Sequence, residues 1–173
     1  VCPNDLAQCR TMPSVVPTRV RDLTPPTDPT KFPHLDEARS VIAGVKLCGL
    51  RSRNSNRTYD HSALAAACRI YEGAPLNISH LKPGETQRGY TDRLGWAENV
   101  RVMEDGIYGD LRYNPEHREA KSLVWWAKNN PRAIGVSQDA FVRKIPCADG
   151  ERVTEILALY GLDLVADPAT TAG

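Results

Sequence analysis

Long apolar runs are missing from this 173-residue chain; none approaches the length of a membrane-spanning helix. The start, "VCPNDLAQCR", has no basic segment followed by an apolar one, so no secretory signal is expected there. Charge of one sign is lacking too. The net charge is +1 and the pI about 7.8, which gives no reason to expect nucleic acid as a partner. Five cysteines are present (Cys2, Cys9, Cys48, Cys68 and Cys147), an odd number without any C-x-x-C pair. That pattern argues against a disulfide framework and against a zinc site. Cys48 and Cys68 lie in apolar surroundings and read as small buried hydrophobes, so a reducing, cytoplasmic compartment is expected. A bridge between Cys2 and Cys9 is the alternative. No glycine-rich phosphate loop follows an expected strand, which leaves nucleotide binding without support. Aromatics make up only 6% of the chain and no charged stripe is present, so neither marks a binding pocket.

What is present is the mix of a soluble globular domain, 41% hydrophobic and 25% charged, in a length that favours one domain. Residues 1–39 stand apart. They hold seven prolines, and "LTPPTDPTKFP" cannot run as a helix or a central strand. An extended arm is expected there, packed on the body or on a partner, with the globular part beginning near Arg39.

From there the patterning is clear. "SVIAGVKLCGL" (40–50) reads as a buried strand and "RSRNSNRTY" (51–59) as a polar loop. Residues 61–71 place Leu64, Ala67, Cys68 and Tyr71 on one helical face, stopped by Gly73 and Pro75. A short strand (75–79) leads to His80, and a loop (81–93) follows. Residues 94–114 read as a β-hairpin turning at Asp105-Gly106. A helix is expected over 114–130, with Asn114 as N-cap, Pro115 in its first turn, and Ala120, Leu123, Val124 and Ala127 as its apolar stripe. Residues 133–145 read as a strand carrying Ser137, and 151–168 as one or two more. The expected fold is α+β: a curled, mostly antiparallel β-sheet or barrel flanked by two or more helices.

The chemistry-bearing residues are few. His34 sits in the arm, His117 on a first helical turn, and His61 opens a helix; solvated or capping positions suffice for all three. His80 ends a short apolar strand before a long loop, where a side chain can project into a cleft. Ser137 needs such a base, because a serine hydroxyl is a poor nucleophile until an imidazole takes its proton. "GVSQD" is not a G-x-S-x-G elbow. Asp163 alternates with leucines in an apolar strand, where a carboxylate is costly unless paired. A salt bridge to Arg143 or Arg152 would account for it equally. Asp167 precedes Pro168 and suits a turn. From the residues alone, structural readings of His80, Ser137 and Asp163 stay open beside catalytic ones.

Four segments in order sharpen the choice: "YEGAPLNISH", "YTDRLGWAENVRVMEDGIYGDLRYNPEHREAKSLVWWAKNNP", "IGVSQDA" and "LDLVADPATT". This succession resembles the prohead proteases of tailed phages and prophages, capsid maturation serine proteases whose fold is similar to herpesvirus assemblin. The resemblance covers roughly residues 40–172. It implies a protease domain at 40–173, with 1–39 as an arm or pro-segment. Ser137 matches the nucleophile and His80 the general base. Asp163 is the expected third member, with Asp167 as the alternate. Oxyanion donors are expected near 169–171 or 143–145. Many relatives have histidine after the serine, where this chain has Gln138, and proline after the histidine, where it has Leu81.

The implied activity is that of a serine endopeptidase working through an acyl-enzyme. Its substrates would be scaffold and capsid-protein segments, and its own termini, inside the assembling prohead in the host cytoplasm. No cofactor, metal, nucleic acid or membrane partner is expected, and a homo-oligomer is compatible with the pattern. The alternatives are a catalytically inactive scaffold or capsid-assembly module of the same fold, and an unrelated binding domain with a β-barrel core. Trp96, Trp125 and Trp126 could line a groove, although helix-to-sheet packing of one of the adjacent pair is the plainer expectation.

Overall fold

The structure is a computed structural model that describes residues 16–23, 33–52, 55–82 and 84–166. Within them lie nine strands and two α-helices. The strands are β1 (Thr18–Leu23), β2 (His34–Asp36), β3 (Val41–Gly49), β4 (Arg57–Tyr59), β5 (Pro75–Ile78), β6 (Arg93–Met103), β7 (Gly106–Tyr113), β8 (Ile134–Cys147) and β9 (Gly150–Ala166). The helices are α1 (His61–Tyr71) and α2 (Ala120–Asn129). All nine strands join one sheet in the order β1-β8-β9-β5-β6-β7-β3-β2, with β4 pairing on β9. Only β4 and β5 run parallel to β9; every other pairing is antiparallel. The chain therefore has the expected α+β class. The sheet is curled enough for β3 to pack against β8 across its inner face.

Helix α1 forms where its apolar spacing puts it. Leu64, Ala67 and Tyr71 are buried against β9, β6 and β7, and Gly73, at φ 73°, turns the chain out of the helix. The core beneath it is built from Leu47, Leu76, Leu94, Ile107, Leu111 and Leu162, all fully or almost fully buried. Cys48 is in that core as expected, whereas Cys68 is only half-buried. Cys2 and Cys9 lie outside the described residues.

Three local expectations need correction. The segment 51–59, expected as loop, contains β4, whose three residues pair with Glu151–Val153 of the long strand β9. The hairpin turns at Glu104–Asp105 rather than at Asp105-Gly106, because Met103 pairs with Gly106. Gly106 takes φ 151°, and a Cβ there would come 2.2 Å from the Cys48 carbonyl oxygen. Its glycine is needed for close approach to β3, not for the turn itself. The helix expected from Asn114 begins at Ala120. Asn114 does accept a hydrogen bond from the Glu116 N–H at 3.0 Å, but the next turn is fixed by His117. Its Nδ1 accepts from the Glu119 N–H at 3.1 Å and its Nε2 donates to the Thr91 carbonyl at 2.8 Å. An imidazole in those bonds holds a separate turn against the 81–93 loop, so His117 is not simply solvated.

Strands β8 and β9 form one long hairpin, with three register shifts along it that let the pair coil. Residues 150–166 thus make one strand, not two. Both described pieces of the proline-rich arm are edge strands, β1 beside β8 and β2 beside β3. Strand β1 is held by Asp139 of β8. Arg19 meets its carboxylate with Nε and Nη2, both at 2.5 Å, and Arg21 Nε lies 3.3 Å away. Burial opposes ionisation of Asp139, but the hydrogen bond from Arg19 and the two positive charges outweigh it, so its pKa lies below the ordinary value. A depressed carboxylate contributes stability in full above its unfolded pKa, near 3.9, and loses it as pH falls through the folded value. Acid should therefore release β1 before the core. In amide spectra, β1 signals are expected to move to unfolded positions below about pH 4 while those of β9 persist; loss of both together would contradict this.

Candidate active site

Three adjacent strands, β8, β9 and β5, bring the polar residues of interest into one row. Ser137 is paired directly with Asp163, and Asp163 with Asn77. Side chains of directly paired residues project to the same face, with Cβ atoms about 4.5–5.5 Å apart. Residue 138 faces the other way. Gln138 accordingly turns toward α1, where it accepts from the Tyr71 hydroxyl and donates to the Tyr59 hydroxyl. Gln138, one of the two departures from the prohead-protease pattern, is thus a buried core amide on the far side of the sheet.

His80 reaches the row by a sharp bend. Ser79 adopts φ 58°, in the left-handed region, while its N–H bonds to the Leu164 carbonyl at 2.9 Å. The chain leaves the sheet at that point and the ring folds back over β9. His80 Nδ1 lies 2.8 Å from Asp163 Oδ2. A proton on Nδ1 shared with a carboxylate leaves Nε2 with its lone pair, the arrangement of a general base. His80 keeps about a third of its side chain exposed, whereas Asp163 and Ser137 are fully buried.

Asp163 is the hub. Its Oδ1 accepts from Asn77 Nδ2 at 3.1 Å; its Oδ2 accepts from both His80 and Arg88 Nη2, the latter at 2.7 Å. Arg88 also donates to the Ser79 carbonyl at 2.8 Å, tying the 81–93 loop to the bend before His80. Arg93 Nε completes the chain by donating to Asn77 Oδ1 at 3.0 Å. A buried carboxylate is tolerable only with such compensation, and Arg88 supplies the counter-charge. The expected alternative partners are engaged elsewhere, Arg143 with Glu155 and Arg152 with Asp60.

Arg88, Asn77 and Arg93 were not singled out from the sequence. Asn77, a lone amide inside "PLNIS", carried a usable signal, since a polar group in an apolar strand needs a partner. Arg88 carried none, because a loop arginine is ordinary. An open cleft of about 780 Å³ adjoins the group at Arg88 and Arg93, with Tyr90, Thr91, Glu116 and His117 around it. Trp96 and Trp125 do not line this cleft; Trp125 is exposed and stands edge-on to Trp126.

Asp167 and residues 169–171 lie outside the described residues. Residues 143–145 are on β8, six or more positions past Ser137, which at strand rise is about 20 Å away. They are too distant to donate to an oxyanion formed at that serine.

Gly161 explains why Asn77 can reach Asp163. It lies two residues before Asp163, on the same face, and a Cβ there would stand 2.6 Å from Asn77 Nδ2. Gly161→Ala is expected to displace that amide and cost about 1–3 kcal/mol, the usual range for overpacking. Urea denaturation would measure it, and adding Asn77→Ala should recover part of the loss. A single variant as stable as the parent would mean the amide moves aside freely.

No family model matches the chain, and no curated protein does. Among solved structures it is similar to that of the bacteriophage T4 capsid assembly protease, gp21. The TM-score is 0.63 at 16% identity, covering 88% of this chain and 99% of that one. The two chains share a fold.

Proposed function

We propose that the chain is a serine endopeptidase of phage prohead maturation, with a fold of the herpesvirus assemblin type. Ser137 attacks the peptide carbonyl, His80 takes its proton and returns it to the leaving amine, and Asp163 holds the His80 tautomer. Hydrolysis of the acyl-enzyme completes the cycle. Scaffold and capsid-protein segments, and the chain's own termini, are the substrates, inside the assembling prohead. Residues 40–173 form the protease domain, and 1–39 an arm or pro-segment. The observation that carries this reading is the His80–Asp163 hydrogen bond in the same cross-strand row as Ser137. It occurs in a fold shared with a protein described as a capsid assembly protease.

One observation favours a second reading, an inactive assembly module of this fold: Ser137 has no exposed surface. Intact mass followed over time separates the two. The parent chain at high concentration should trim itself, and Ser137→Ala and His80→Ala should not. Stable, identical masses in all three, in the presence of the capsid and scaffold proteins, would favour the inactive module.

A further inference from the structure

The outer edge of β8 at Ser137 is occupied by β1, and the pairing has a definite register. Leu23 stands opposite Ser137, Arg21 opposite Asp139, Val20 opposite Ala140 and Arg19 opposite Phe141. The arm thus lays a polypeptide strand directly beside the candidate nucleophile. Its side chains alternate in chemistry. Val20 is buried in the core beside Ala140, while Arg19 and Arg21 turn to the face of Ser137 and converge on Asp139. Arg19 also lies over the Tyr160 ring, 4.4 Å from its centre. Asp139 is almost completely buried, and the two guanidinium groups that neutralise it both come from β1. A buried carboxylate at a sheet edge, matched to cations on the added strand, is a recognition device. In strand addition the backbone supplies affinity and the pockets for alternate side chains supply specificity.

We propose that this edge of β8 is the docking edge for a substrate strand, and that β1 fills it in the chain as folded. Asp139 then selects basic residues two and four positions before the one that stands opposite Ser137. This rests on the reading of Ser137 as nucleophile. The fitting ligand is an extended peptide of basic–apolar–basic pattern, and β1 is its intramolecular stand-in. Tethering gives β1 a high effective concentration, so a free peptide competes only once β1 is weakened.

The test is peptide binding in a full-length Ser137→Ala background, which keeps catalysis out of the readout. The probe is a fluorescein-labelled peptide of sequence TRVRDL, followed by fluorescence anisotropy. Adding Arg19→Glu and Arg21→Glu should raise its affinity at least tenfold by freeing the edge. Asp139→Asn in that variant should remove the gain, and a TEVEDL peptide should not bind. Equal affinity with and without the two arginine changes, or binding indifferent to Asp139, would overturn the proposal. If the charge-reversed chain does not fold, Asp139→Asn alone serves. Amide exchange in β1 should quicken at least tenfold while Leu162–Leu164 of β9 stay protected; unchanged β1 protection would overturn it. A chain that binds the peptide through Asp139 yet never trims itself supports the docking edge and counts against the catalytic reading alone.

Discussion

Replacing Ser137 by alanine is expected to lower peptide-bond cleavage by about a million-fold, the scale on which serine enzymes lose rate when the nucleophile goes. His80→Ala should cost about as much, and the double variant little more, because in the proposed mechanism nucleophile and base act as one unit. Stability should hardly change. Ser137 is buried, but its hydroxyl is one hydrogen-bonding group, worth about 1 kcal/mol. The measurement is self-trimming by intact mass beside a urea melt of each variant. Strictly additive losses would show that the two residues do not share a step. Full activity in Ser137→Ala would end the serine mechanism outright.

The second large effect separates chemistry from folding at Asp163. Asp163→Asn keeps the shape but offers His80 an amide that can hold the wrong tautomer, so a fall of about ten-thousand-fold in kcat is expected. Arg88→Ala acts differently. It leaves the Asp163 carboxylate buried without its counter-charge, and breaking a buried ion pair from one side costs about 3–5 kcal/mol. Combining Asp163→Asn with Arg88→Met should be less destabilising than Arg88→Ala alone, because both charges then leave together. A urea-denaturation cycle over these variants measures the coupling. Arg88→Ala with unchanged stability would show that the loop arginine is not what compensates the burial of Asp163.

Much of this architecture was legible beforehand because local periodicity carried it. The apolar spacing of Leu64, Ala67 and Tyr71 located α1, and the alternation after residue 133 located the strand bearing Ser137. The start of α2 is masked in the sequence because Asn114 and Pro115 are good helix-opening residues; a histidine bonding across to Thr91 overrides them. Such a bond joins positions 26 apart, and no window of sequence contains it. Asp163 was legible as an anomaly, a charge among leucines, and the resemblance attached it to His80. Its other partners were not. Arg88 approaches from a loop 75 residues earlier, and Asn77 from a strand that pairs in parallel with β9. The strand pairing of β1 is not legible either, because prolines on both sides of it argue only for an extended segment.

Strand β9 follows every other described element in the chain, yet it sits inside the sheet with β8 on one side and β5 on the other. On a ribosome, β5 and β8 emerge first and have nothing to bridge them. Asp163 is delivered only when β9 slots between, closing contacts across more than eighty residues at once. Chain synthesis runs at about 5–20 residues per second, so the His80–Asp163 pair cannot exist until roughly 4–17 s after His80 has been made. The order of elements is itself a timer. Whatever this group of residues does, it does only after β9 has been threaded into place.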